Sequence, residues 1–358
     1  MGAGIVAIRP AAHGRQEGDV RESQPRRSDE RRRRARGLGR RDLLRQAGGV
    51  LAGAVAGEMA LSAQARGRAR GGAADFDQRF FPDFEVARVE TSGATIHALI
   101  GGSGPPVLLL HGAPLTHISW RGVAPALART HTVVLTDLRG YGDSSKPPDG
   151  ENHANYAKRA MALDQVEVMR HFGFEAFALI GHDRGGRVAQ RLVLDHPDRV
   201  TRVAVLDIVP THYLYTHITM DFVRAYSHWF LYIQREPIPE NVILDQSKAR
   251  LAGARTDVQA EYARRYLDPA TVHGMCEDYR AGATIDLEHD EADRGRRIAC
   301  PLLALWGNNA PMGRMYDIPA VWREYAVNVS GRGVDAGHNL QEEAPELVLA
   351  ELRSFLAG

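Results

Sequence analysis

The chain has 358 residues, 44% of them hydrophobic, which is ample for one large α/β domain carrying an insertion. Its two cysteines, Cys276 and Cys300, are too few for a disulfide framework or a zinc site and read as buried thiols. The formal charge of +1 joins two unlike parts: residues 1–65 hold thirteen Arg against seven Asp or Glu, so the rest carries about −5, which argues against nucleic acid as a partner.

Residues 1–38 are rich in Arg, Gly, Ser and Gln, include the run Arg31-Arg32-Arg33-Arg34 and show no apolar period, so they read as disordered. GRRDLLRQ follows from Gly39, then the weakly apolar AGGVLAGAVAGEMALSAQA ending at Ala65. A charged n-region, an h-region and Ala63-Gln64-Ala65 describe an export signal, and Arg40-Arg41 before Leu43-Leu44 resembles the twin-arginine type. The expectation is a precursor carried by the twin-arginine export machinery to the periplasm or beyond. Glu58 inside the h-region counts against it, and a basic tail on a cytoplasmic protein is the plainer alternative. No window of the chain has the length of a membrane span without a charge, so no stable membrane anchor is expected.

From residue 84 strands alternate with helices. FEVARVE and TIHALI read as a hairpin; PPVLLLHG and HTVVLTDLRGYG read as buried parallel strands ending in loops. YAKRAMALDQVEVMRHFG has helical spacing and a Gly173 stop. FALIGHD, RVAVLD and PLLALWG are three further buried strands, and APELVLAELRSFLAG closes the chain as a helix. The pattern predicts a mostly parallel sheet covered by helices on both faces, with its core in 66–210 and 296–358. Between the strand ending at Asp207 and the one starting at Pro301 the chain is helical in period and rich in aromatics and Arg. That insertion, 211–295, predicts a helical cap over the strand ends.

GHDRGGR, Gly181 to Arg187, has the frame of a nucleophile elbow with Asp183 at the apex. Gly181, Gly185 and Gly186 stand where helix and strand must approach closely. Asp207 ends the next strand, and His338 in VDAGHNL lies in the last loop before the terminal helix, so nucleophile, acid and base follow in the order of the α/β-hydrolases, and an α/β-hydrolase fold is expected. The loop after PLLALWG has no acid before Asp317, which leaves Asp207 as the orienting acid; its plainer role is a cap ahead of Ile208-Val209-Pro210. A carboxylate nucleophile attacks an sp³ carbon and forms an alkyl ester, which His338 then hydrolyses by activating water. The oxyanion needs backbone donors, here the N–H groups of Arg184 and of Ala113 in HGAP. No His/Asp/Glu cluster has metal spacing, and the reaction needs neither metal nor cofactor.

GHDRGGRVAQRLVLDHPDRV, AVLDIVPT, YSHWF, MCEDYRAGA and LALWG together resemble the fluoroacetate, or haloacetate, dehalogenases, with similarity from about Phe81 to the C-terminus. The resemblance implies Asp183 as nucleophile, Asp207 as acid and His338 as base. It implies that Arg184 and Arg187 hold a substrate carboxylate and that His228, Trp229 and Tyr279 hold the departing halide. Arginines three apart at a helix start suit an anion, although a surface salt bridge from helix to cap is the plainer reading of both. Water and a small anionic substrate are the expected partners, and a homodimer would fit the family. Three departures stand out: Ala113 where a bulky Phe is expected, a shortened segment between Trp229 and Cys276, and the export signal. An epoxide hydrolase with the same nucleophile and base is the second reading, with Tyr213, Tyr215, Tyr226 and Tyr279 available to protonate the epoxide. A hydrolase-fold binding protein without catalysis is the third.

Overall fold

The computed structural model describes residues 73–358; the export-signal reading of 1–65 lies outside them. Strands β1 (Phe84–Glu90), β2 (Thr95–Gly102), β3 (Pro106–Leu110), β4 (Thr132–Thr136), β5 (Phe177–His182), β6 (Val200–Leu206), β7 (Leu302–Gly307) and β8 (Val329–Val334) form one sheet. Their spatial order is β1-β2-β4-β3-β5-β6-β7-β8. β2 is antiparallel to both β1 and β4, and every other pairing is parallel.

The strand period of two divides the core into two layers. Leu108 and Leu110 of β3, with Leu179 of β5 and Val203 and Val205 of β6, pack against Met161 and Met169 of the helix Lys158–His171, Val188 and Leu192 of the helix Arg184–Asp195, and Trp322. Val107 and Leu109, with Ile180 and Leu206, pack the other way against Trp120, Leu127, and Leu349 and Leu352 of the terminal helix Pro345–Ala357. Each such buried aliphatic side chain contributes about 1.5–3 kcal/mol. The continuous apolar runs of the middle strands are the signature of a sheet covered on both faces.

β8, VSGRGV, is an edge strand mostly open to solvent and carries two glycines, so it has no apolar run to announce it. The helix Ile318–Tyr325 was also not anticipated, although Asp317 caps it by accepting from the Ala320 N–H and Pro319 sits in its first turn. Of the two thiols Cys276 is buried and Cys300 only partly so; both are free.

Between β6 and β7 the chain runs through seven helices from Thr211 to Ala292. The helix Pro269–Gly282 is fastened to the sheet side by Asp278, which accepts from Tyr141 Oη at 2.6 Å and from Lys158 Nζ. His153 Nδ1 meets Glu277 Oε2 at 2.6 Å beside it. No helix among the described residues is long and apolar enough to cross a membrane.

Candidate active site

β5 ends at His182, a helix starts at Arg184, and Asp183 takes the turn alone with φ 45° and ψ −115°. A non-glycine residue held there stores strain, as an elbow apex does. The turn closes because its neighbours lack side chains. A Cβ on Gly181 would come within 2.4 Å of the Gly185 carbonyl, and one on Gly112 would come within 2.6 Å of Asp183 Cβ. Asp183 is buried, and the Ala113 N–H donates to its Oδ2 at 3.0 Å. The backbone N–H of Arg184, first in the helix, meets no acceptor among the described residues. The Ala113 N–H thus holds one carboxylate oxygen, Oδ2, and leaves Oδ1 for attack.

His338 Nδ1 lies 2.6 Å from Asp207 Oδ2, and the other Asp207 oxygen accepts from the Gly307 N–H at 3.0 Å. Asp207 is fully buried, with φ 52°. His182 holds the base loop: its Nε2 meets the His338 carbonyl at 2.8 Å, and Gln341 Nε2 meets its Nδ1 at 3.2 Å. Burial pushes His182 down to about 3, so it serves as a neutral strut. Burial also opposes a charge on His338, but the Asp207 hydrogen bond and the Asp183 charge outweigh it and raise its pKa. At Asp183 burial again favours the neutral form, and the charges of His338, Arg187 and Arg184 prevail and lower it.

The two arginines differ. Arg184 Nε donates to Asp278 Oδ2 at 2.7 Å, and its Nη2 donates to Asp278 Oδ1 at 2.9 Å and to the Asp278 carbonyl at 2.7 Å. That is a helix-to-cap salt bridge, as the plainer reading had it, but buried rather than at the surface, and it leaves only Nη1 free. Arg187 Nη1 donates to the Val209 carbonyl and to Thr211 Oγ1, both at 3.0 Å, while its Nε is buried without a partner. No carboxylate among the described residues pairs with Arg187, which is 2% exposed and lies 4.7 Å from the Trp229 ring centre. Burial and the Arg184 charge push its guanidinium down to about 10. Asp278, Lys158 and Tyr141 were not singled out from sequence; the acid preceding Tyr279 in MCEDYRAGA was the available signal.

A cavity of about 550 Å³ is bounded by Asp183, Ala113 and His338 from the core and by His228, Trp229 and Tyr279 from the cap. The Tyr279 ring stands edge-on to Trp229 at 5.7 Å and to His228 at 6.2 Å. Burial lowers His228, which favours its neutral form. Tyr226 lines the same space with its hydroxyl buried and unpartnered. Tyr213 instead stacks on His217 at 4.0 Å, and Tyr215 packs 5.7 Å from Trp229, outside the cavity wall.

Residues distant in sequence do meet in groups that spacing could not reveal. Ligand-type atoms of Asp77, His97 and His117 lie within 4.8 Å of one another. Both nitrogens of His117 are already engaged, Nδ1 by Asp137 at 2.9 Å and Nε2 by Asp77 at 2.7 Å. Burial alone would lower His117, yet the two carboxylates push it up to about 10, so an imidazolium fills the place a cation would take.

The α/β-hydrolase fold family matches residues 105–345. A fluoroacetate dehalogenase from a Burkholderia species is 43% identical over 289 residues, 77% of this chain and 95% of that protein. The soluble epoxide hydrolase of Corynebacterium sp. (strain C12) is 33% identical, covering 74% of this chain and 95% of its own length. The crystal structure of ALR0039 from Nostoc sp PCC 7120 superposes with a TM-score of 0.74 at 49% identity, covering 77% of this chain and 99% of that one. The chain therefore belongs to the α/β-hydrolase family, linked to its fluoroacetate and haloacetate dehalogenase branch, and is a hydrolytic enzyme with an Asp/His catalytic pair for small substrates.

Proposed function

We propose that this enzyme hydrolyses the carbon–halogen bond of small 2-haloacids through an ester on Asp183. The observation that carries the reading is Arg187, a buried guanidinium with an unpartnered Nε and no carboxylate of its own. A cation so placed beside an anionic nucleophile calls for an anionic ligand, and a substrate carboxylate supplies one. The free Nη1 of Arg184 adds a second donor. An epoxide gives neither arginine a partner.

In the first step Asp183 Oδ1 bonds to the substrate Cα, and the halide leaves with the bonding pair. Trp229 Nε1–H, Tyr279 Oη–H and the His228 ring N–H are the donors that receive it. In the second step His338 takes a proton from water while the hydroxyl attacks Cγ of the ester. Charge then gathers on Oδ2, against the Ala113 and Arg184 N–H groups, and collapse releases the 2-hydroxyacid as His338 returns its proton. Esterification removes the Asp183 charge, one of the two influences that raise His338, so the base becomes easier to keep neutral when it is needed. The test is halide release from fluoro-, chloro- and bromoacetate beside styrene oxide. Halide from none of the acids, with diol from the oxide, would favour the epoxide hydrolase reading, for which the unpartnered Tyr226 hydroxyl is the supporting feature.

We propose further that the precursor is exported through its Arg40-Arg41 signal. Replacing both by Lys should hold the full-length precursor in the cytoplasm, and unchanged processing would refute it.

A further inference from the structure

A second cavity of about 490 Å³ adjoins the first beneath the helices Ile238–Ala252 and Asp257–Arg265. The loop His111–Thr116 leads from one to the other. Ala113 lines the nucleophile's cavity, Pro114 lines both, and Leu115 lines the second alone. A haloacetate has only a handful of heavy atoms and fills a small part of either space. With Ala113 in place of a bulky residue, a substituent on the substrate Cα has an open path along this loop.

The second cavity is furnished for a polar end group. The hydroxyls of Ser247 and Tyr266 are buried, find no hydrogen-bond partner, and belong to residues that line it. Ser247 is 1% exposed and Tyr266 4% exposed, so bulk water does not satisfy them. Burial raises the Tyr266 phenol well above its ordinary range, which keeps it a donor. Arg250, an exposed residue, lines both cavities, and its guanidinium pairs with no carboxylate among the described residues. Two unpaired hydroxyl donors and an unpaired cation make a receptor for an anion rather than for an alkyl end.

Taking the 2-haloacid reading above as its basis, we infer that the preferred substrate is a 2-haloacid whose Cα bears a chain ending in a second carboxylate. The reacting end sits at Asp183, the chain runs along Ala113–Leu115, and Ser247, Tyr266 and Arg250 hold the distal carboxylate.

Halide release from bromoacetate, 2-bromohexanoate and 2-bromoadipate tests this, since the last two share a chain and differ in the distal charge. In the wild type 2-bromoadipate should show a kcat/KM about tenfold or more above 2-bromohexanoate, mostly through KM. Arg250→Gln, and separately Ser247→Ala with Tyr266→Phe, should collapse that ratio toward one. Ala254→Trp, which fills the second cavity, should raise KM for both long acids relative to bromoacetate. Turnover of bromoacetate with no adipate preference, or a preference that survives Arg250→Gln, overturns the inference and leaves the dehalogenase reading standing. Halide from none of the three acids overturns both.

Discussion

Replacing Arg187 by Met separates a substrate-binding cation from a structural one, because the two roles move stability in opposite directions. In the free enzyme Arg187 is nearly fully buried and unpaired, and its descent to about 10 corresponds to roughly 3 kcal/mol of strain in holding the charge. Met removes that strain and keeps most of the packing against Trp229. It also strands the Val209 carbonyl and Thr211 Oγ1, at about 1 kcal/mol each. The balance is about +1 kcal/mol, or a melting temperature unchanged to a few degrees higher. Activity should move the other way. A charge-assisted hydrogen bond is worth about 1.5–3 kcal/mol, and Arg187 has Nε and Nη2 to offer, so kcat/KM for bromoacetate should fall on the order of 100-fold or more. Chloroacetamide, with the same reacting carbon and no charge, should lose far less. Calorimetry and halide release read both quantities on one preparation. A fall of more than about 5 °C, or equal losses on the charged and neutral substrates, would make Arg187 a structural residue and refute the reasoning.

Three other outcomes are expected. A single turnover in heavy-oxygen water should place the label in the peptide containing Asp183 and leave the first product unlabelled, and His338→Gln should let the ester accumulate; label in the product alone would mean that water attacks the substrate directly. Trp229→Phe removes one N–H donor and should depress fluoroacetate turnover on the order of 10- to 100-fold, more than bromoacetate turnover, because fluoride depends most on aimed donors; equal losses would assign Trp229 to packing. The His117 imidazolium, raised to about 10, contributes stability in full below the ordinary histidine value of 6.5 and loses it as pH climbs through about 10. The melting temperature should therefore fall between pH 7 and 10 and stay flatter in His117→Asn, with parallel curves excluding the effect.

The parts of the fold that were legible are those where one physical demand dominates a run of residues. β3, β5 and β7 had to be apolar on both faces, and the elbow had to be glycine on both sides of Asp183, so each left a contiguous mark. β8 left none, because most of VSGRGV is open to solvent and only its ends reach the core, Val329 in one layer and Val334 in the other. Asp183, Asp207 and His338 were readable from chain order, since the topology of the sheet carries them to one end. The pairing of Arg184 with Asp278 was not, because it joins residues 94 apart through the tilt of a cap helix. The Asp77–His117–Asp137 chain failed to register for the same reason: its partners come from a helix, a loop and a strand end, with no spacing in common.

The difference between the two arginines bears on how an anion enters a site whose nucleophile is itself an anion. Asp183 is buried, and a substrate carboxylate brought beside it is repelled, so at least one uncompensated cation is required. Arg184 cannot be that cation, because Asp278 neutralises it while Asp286 balances Lys158, which touches both acids. What the pairing does give Arg184 is a fixed direction: with Nε and Nη2 committed, Nη1 has one place to point and little freedom to lose on binding. Arg187 has the converse arrangement, held at Nη1 by two neutral oxygens beside the Trp229 ring, so no carboxylate pairs with it in the free enzyme and its charge reaches Asp183 only at a distance. On the proposed 2-haloacid reading, one arginine orients the substrate carboxylate and the other balances it. On that reading the two arginines are not interchangeable. Asp278→Asn would release a second bare cation beside the first, and the repulsion between them would loosen the orientation that in-line attack by Asp183 requires.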